Sequence, residues 1–222
     1  MYVISVCAEK GGVGKTTISL ALAVAASQAG KRSAVIDTDP QATASKWTDR
    51  REDEFPWIVA TPSARLRTAL LECQAQGVEF VVIDTPPHAG TDAVEAARVS
   101  DVVIVPVEPH LFTLETLPKL RDLLKLAGDP LALFVVSKAA TQGKEAANAA
   151  EFIKAQGLRV CPVVIHLRAA HRHAGNIGQA ATEYEPGGKA SDEAIHLYTY
   201  TIKLLEERSK SHGQEKPTRA RA

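Results

Sequence analysis

Between Cys7 and Thr17 the chain reads CAEKGGVGKTT, which sets two lysines, Lys10 and Lys15, on either side of a glycine-rich turn. A turn of this kind, leading into a helix, aims several backbone N–H groups at one point and holds an anion there. Lys15 and Thr16 complete the Gly-Lys-Ser/Thr ending of a phosphate loop, in which the ammonium neutralises the outer phosphates of a nucleotide and the hydroxyl ligates Mg²⁺. Gly11, Gly12, Val13, Gly14, Lys15, Thr16 and Thr17 are the expected nucleotide-binding set. At its other end the motif departs from G-x-x-x-x-G-K-S/T, because Glu9 stands where the first glycine belongs. One lysine already serves phosphate, so Lys10 needs another task.

Two further segments bring carboxylates to the same place. In VVIDTPP, residues 81–87, Asp84 ends an apolar run. A carboxylate at the C-terminal tip of a strand in an open parallel sheet faces the ligand crevice and can hold Mg²⁺ through water, the Walker B arrangement. In IDTDPQ, residues 36–41, Asp37 and Asp39 are spaced by two and are expected on one face of a strand end. A turn at Pro40 explains only one of them as a cap. Asp39 is expected to act on the metal or in the reaction, with Asp37 as its structural partner.

For these groups to meet, neighbouring strands of one sheet must carry them. Short β-branched runs at 2–8, 33–39, 57–60, 80–86, 101–107, 131–137 and 158–165 alternate with helix-length segments. Runs apolar on both faces, separated in this way, predict an α/β fold with a doubly wound, mostly parallel β-sheet flanked by helices. Four of the helical patterns stop at a glycine in the C′ position, among them the first, which starts at the phosphate loop and ends at Gly30. The last runs over about 190–208, with Ile195, Tyr198, Ile202 and Leu205 as its core-facing stripe. Residues 1–208 are read as one domain and 209–222 as a flexible tail. Charges balance at 26 against 26, so no overall field points to a nucleic acid or a membrane. From Arg208 onward five Lys or Arg face a single Glu, which makes the tail basic. The three cysteines form no C-x-x-C pair, which fits a reducing compartment and disfavours a zinc or iron–sulfur site. No stretch reaches the ~18–20 apolar residues of a membrane span, and a cytoplasmic protein is expected.

KGGVGKTT, DTDPQ and VVIDTPP, in this order and at these spacings, resemble the ParA/MinD family of P-loop ATPases, whose phosphate loop is a deviant Walker A. The likeness extends from Met1 to about Glu206 and is nearest to the ParA branch. It implies ATP and Mg²⁺ as cofactors, a homodimer formed with ATP, and catalytic roles for Lys10, Lys15, Asp39 and Asp84. Lys10 matches the signature lysine that reaches the phosphates held by the other subunit. Asp39 is implied to position the attacking water, and Asp84 with Thr16 and Asp39 to form the metal set.

The segment SKAA, residues 137–140, lacks the aspartate of the Asn/Thr-Lys-x-Asp motif that reads guanine, so adenine is favoured, with Ser137 and Lys138 flanking the base. Beyond the last helix the sequence is polar and holds Pro217, which argues against a membrane anchor and leaves double-stranded DNA as the expected nonspecific partner. Arg168, Arg172, Lys189, Lys203 and the tail are the candidate contacts. His166, His171 and His173 lie in the same region but lack a completing ligand set for a metal. The resemblance implies a nucleoid-associated DNA-partition ATPase with a centromere-binding ParB-type partner. The alternatives are a related ATPase that positions a protein complex, and a metabolic ligase or metallochaperone on the same fold.

Overall fold

The computed structural model describes residues 1–87 and 90–214. Strands β1 (Tyr2–Val6), β2 (Ser33–Asp37), β3 (Trp57–Ala60), β4 (Phe80–Asp84), β5 (Val102–Val107), β6 (Ala132–Ala139) and β7 (Ile165–His166) form one sheet in the order β3-β2-β4-β1-β5-β6-β7. Every pairing is parallel. The first five expected strands appear with ends trimmed by at most two residues, because each ends where its backbone turns into the loops above the sheet.

Helices cover both faces. On one lie α1 (Lys15–Gln28), α2 (Thr43–Thr48) and α10 (Lys189–Gln214), packed over Ile4, Val6, Val82 and Ile104. On the other lie α3 (Leu66–Ala75), α4 (Thr91–Arg98), α6 (Leu117–Leu126) and α7 (Glu145–Ala155), packed over Val81, Ile83, Val103 and Phe134. The short helices α5 (Leu111–Leu114), α8 (Ala169–Asn176) and α9 (Ala181–Tyr184) complete the set. Each inner strand is therefore buried on both faces, which is why it reads as an unbroken apolar run. Gly30, Gly77, Gly128 and Gly157 have φ of 81°, 73°, 93° and 74°, the left-handed backbone of a C′ residue.

Three expectations need correction. The strand over 158–165 shrinks to a single bridge between Val160 and Phe134 followed by β7, because Pro162 has no N–H for the ladder. The single helical pattern that residues 113–128 present in the sequence, TLETLPKLRDLLKLAG, becomes α5 and α6, since Pro118 fits only the first turn of a new helix. The stripe of α10 is also rotated from the one expected. Ala194, Leu197, Tyr198, Thr201, Leu204 and Leu205 are buried, whereas Ile195 is 43% exposed. Helix α10 continues to Gln214, past the expected start of the tail, and residues 215–222, with Lys216, Arg219 and Arg221, lie outside the described residues. Cys7, Cys73 and Cys161 are free and buried, and burial pushes the thiols of Cys7 and Cys161 up to about 11. Among the described residues no helix is long and apolar enough to cross a membrane.

Candidate functional site

The site lies above the C-terminal tips of β1, β2 and β4. In the sheet Val6 pairs with Asp84, and Asp84 with Asp37, so the phosphate loop and both carboxylate segments leave adjacent strands at the same level. Gly14 precedes α1 with φ 96° and ψ 20°, a left-handed turn open to glycine without strain. Helix α1 starts without a side-chain cap and without an acidic residue in its first turn. Its first N–H groups are thus free of any capping side chain, which suits an anion.

Asp84 is fully buried at the tip of β4 and receives two hydroxyls from α1. Thr16 Oγ1 donates to Oδ2 at 2.7 Å, and Ser19 Oγ donates to Oδ1 at 3.0 Å. Burial drives its carboxyl up to about 7, against the lowering effect of both hydroxyls and of Lys15. Lys15 is only 7% exposed, and burial lowers its pKa despite the attraction of Asp84, Asp39 and Cys7. A half-neutral acid and a desolvated ammonium side by side are the electrostatic mark of a site that gains from a bound ion or phosphate. The two side chains bonded to Asp84 present hydroxyl oxygens beside its carboxylate, oxygen ligands of the kind that suit a hard divalent cation such as Mg²⁺. Thr16, bonded to Asp84, and Asp39 both line the cavity over the loop, and these three oxygen-bearing side chains fit that role.

A cavity of about 310 Å³ opens over the loop, and Gly11, Gly12, Gly14, Lys15, Thr16 and Asp39 are among its walls. Thr17 and Lys138 line it too. Asp39 stands beyond the end of β2, half-buried, and its Oδ1 accepts the Gln41 N–H at 2.9 Å. Asp37 does different work: Oδ2 accepts the N–H groups of Ala44 and Ser45 at 3.0 and 3.3 Å, holding the start of α2. The two aspartates divide the work: Asp39 lines the cavity, and Asp37 holds the start of α2 and accepts the Asp39 N–H at 3.1 Å. Lys10 is outside that lining. Its ammonium rests 5.4 Å from the centroid of the Phe112 ring on α5, and Phe112 is 72% exposed. Glu9 is ion-paired with Lys119 of α6.

A second cavity of about 230 Å³ adjoins the loop, bounded by Val13, Gly14, Ile18, Ile165, Leu167 and Arg168, with Ser137, Lys138, His166, His171 and Arg172 also in its wall. Ser137 is buried and donates to the Val13 carbonyl at 2.9 Å, so its hydroxyl ties β6 to the loop. Lys138 lies 3.7 Å from Glu108. Among the expected DNA contacts Arg172, Lys189 and Lys203 are exposed, and Lys203 lies 4.0 Å from Glu207. Arg168, expected among the DNA contacts, is instead half-buried and gives Nε and Nη2 to Glu193 at 2.9 and 2.6 Å. His166 joins the same carboxylate and His173 lies 3.3 Å from the Tyr184 hydroxyl. Sequence reasoning missed Ser19, Phe112 and Glu193. Ser19 was open to inference as a polar residue one turn after Thr16 in an otherwise apolar helix, whereas the other two act through tertiary contacts that no local pattern announces.

The profile of the CobQ/CobB/MinD/ParA nucleotide binding domain matches residues 4–179. The maintenance of carboxysome distribution protein A of Gloeobacter kilaueensis is 31% identical over 208 residues, 92% of this chain and 94% of that protein. The sporulation initiation inhibitor protein Soj of Bacillus subtilis is 27% identical over 165 residues, 56% of this chain and 65% of the relative. The chromosome partitioning protein ParA of Caulobacter vibrioides is 31% identical over 162 residues, 54% and 61% of the two chains. In fold, the MinD cell division protein of Aquifex aeolicus matches with a TM-score of 0.74 at 15% identity, over 91% of this chain and 98% of that one. The septum site-determining protein MinD of Pyrococcus horikoshii, complexed with Mg-ADP, matches with a TM-score of 0.73 at 20% identity, over 93% and 98%.

Proposed function

Since the chain belongs to the CobQ/CobB/MinD/ParA nucleotide-binding family, we propose that it is an Mg²⁺-dependent ATPase acting as a dimerisation switch in DNA partition. The observation that carries this reading is the division of labour between two lysines: Lys15 lines the phosphate cavity, while Lys10 waits at its rim on an exposed ring. In this reading that ammonium serves phosphates presented by another subunit.

In this reading Lys15 and the loop N–H groups bind the phosphates of ATP, and the base enters the cavity beside Val13 and Gly14. Thr16, Asp84 and Asp39 would hold Mg²⁺, which when bound neutralises charge on the outer phosphate oxygens. Asp39, at the edge of the cavity, orients the attacking water. Two loaded protomers close face to face, and each Lys10 supplies to the partner's terminal phosphate the charge that an arginine finger supplies elsewhere. Hydrolysis removes that link and opens the dimer. The closed dimer places Arg172, Lys189 and Lys203 of both protomers against double-stranded DNA, without sequence preference. A centromere-binding protein of the ParB type stimulates hydrolysis, and the protein works on the nucleoid in the cytoplasm. Relatives named for chromosome partitioning support this reading.

A second reading is favoured by one comparison. The carboxysome-distribution relative aligns over 94% of its length, whereas the Soj and ParA relatives align over 65% and 61%. The same switch would then position a protein assembly. A fluorescent fusion followed in cells deleted for neighbouring genes separates the two: loss of DNA foci supports partition, loss of a protein cluster supports positioning.

The switch itself is tested with purified protein. ATP with Mg²⁺ produces a dimer that binds random duplex DNA. Lys10→Ala keeps its affinity for ATP, loses DNA binding, and loses about 10³-fold in stimulated turnover, the lower range for an arginine finger. Equal DNA binding with and without nucleotide overturns the proposal.

A further inference from the structure

The wall of the second cavity is built on very little backbone. Strand β7 has two residues, and after the Leu167 N–H bonds to the Ala139 carbonyl at 2.9 Å the chain leaves the sheet. Besides its pairing with β6 and the buried Ile165, this stretch is held by a carboxylate on α10. Glu193 Oε2 accepts the His166 backbone N–H at 3.0 Å. Its Oε1 accepts from His166 Nδ1 at 2.7 Å and from Arg168 Nε and Nη2 at 2.9 and 2.6 Å. A carboxylate only accepts, so the His166 proton sits on Nδ1. All three side chains are largely shielded, with 13% of Glu193, 19% of Arg168 and 25% of His166 exposed. Burial alone would raise the Glu193 carboxyl, but Arg168 and the two His166 donors outweigh it and leave it below its ordinary value.

We propose that Glu193 is the positioning residue of the nucleobase site, fixing His166 and Arg168 as the wall on which the base of a purine nucleotide rests. The inference depends on the reading above, in which the nucleotide lies along the phosphate loop. Arg168 is bonded through Nε and Nη2, in the plane of its guanidinium, and lines the cavity, where a guanidinium plane can stack on a planar ring. The opposite side of the cavity is Val13, Gly14 and Ile18, part of the phosphate loop and the first turn of α1, so base and phosphates meet one continuous surface. Glu193 touches neither; it acts through the two residues it holds. Sequence gave no sign of this, because residues 27 and 25 positions apart make the contacts.

The test compares two ligands that share phosphates and differ in the base. ATP and inorganic tripolyphosphate are titrated calorimetrically, with Mg²⁺, into the wild-type full chain and into Glu193→Ala and Glu193→Gln. Glu193→Ala weakens ATP by about tenfold, the ratio expected for a contact of ordinary net strength, and leaves tripolyphosphate unchanged. Glu193→Gln keeps the shape and one acceptor oxygen and weakens ATP by about threefold. If the alanine variant does not fold, the glutamine variant carries the test, again by a loss confined to ATP. Equal loss for both ligands means a general collapse of the site and overturns the inference. So does unaltered ATP affinity in both variants, and so does a wild type that binds ATP no more tightly than tripolyphosphate. A wild type that binds no ATP removes the functional reading, and this inference falls with it.

Discussion

Asp84 concentrates the electrostatic cost of the site in one side chain. It is buried at the strand tip with Thr16 and Ser19 on its two oxygens, and burial lifts its carboxyl from 3.8 to about 7. Between those values the folded chain keeps a proton that the unfolded chain has released, so the contribution to stability is full at low pH and is lost as pH rises through about 7. The melting temperature of nucleotide-free, metal-free protein should therefore fall between about pH 5 and about pH 7.5, relative to Asp84→Asn, by about 2–4 °C for each kcal/mol involved. Thermal scans of the two proteins across that range check this; parallel profiles refute it. Residues of this kind were legible where a motif fixes both type and spacing, as at Lys15, Thr16 and Asp84. Phe112 under Lys10 was not, because an exposed aromatic on a helix of four residues carries no periodic signal.

Elements were legible where local chemistry punctuates them. Glycines at helix ends and apolar runs along strands located the first six strands and most helices, while Pro162 and Pro118 broke patterns that hydropathy alone joined. The packing of α2 on the α8–α9 region had no such mark. Arg51 spans it, with its side chain 3% exposed, bonding the carbonyls of Phe55 and Gly178 and both oxygens of Glu183. Trp47 Nε1 donates to the Gln179 carbonyl at 3.1 Å beside it. Gly178 permits this approach: its φ is 71°, and a Cβ there would stand 2.5 Å from the Arg50 carbonyl carbon. Gly178→Ala should cost about 2–4 kcal/mol from strain and overpacking together. Gly175, three residues earlier in α8, has no neighbour within 4 Å of an added Cβ, and Gly175→Ala should be neutral or stabilise by up to about 1 kcal/mol. Urea unfolding of the pair checks both signs, and equal midpoints would show that the approach at Gly178 carries no strain.

At the scale of the whole molecule the doubly wound sheet was readable from the alternation of strands and helices. The insertion of β4 between β2 and β1 was not, because strand order follows from crossovers and not from any single run. That insertion brings Asp84 beside the phosphate loop. On the outer face of α10, Lys203 is exposed, and in a two-fold dimer its charge counts twice. Under the partition reading, Lys203→Ala should flatten the log–log dependence of DNA affinity on salt by about 2, as expected for two lost phosphate contacts. Filter binding at several salt concentrations measures the slope, and an unchanged slope excludes Lys203 from the interface. The perch of Lys10 on Phe112 sets a last condition. An ammonium over an exposed ring gains about 0.5–1 kcal/mol, less than a tenfold bias between two placements of the side chain. A detent so shallow cannot by itself keep the lysine at home, so the resting form persists only while no better anion comes within reach.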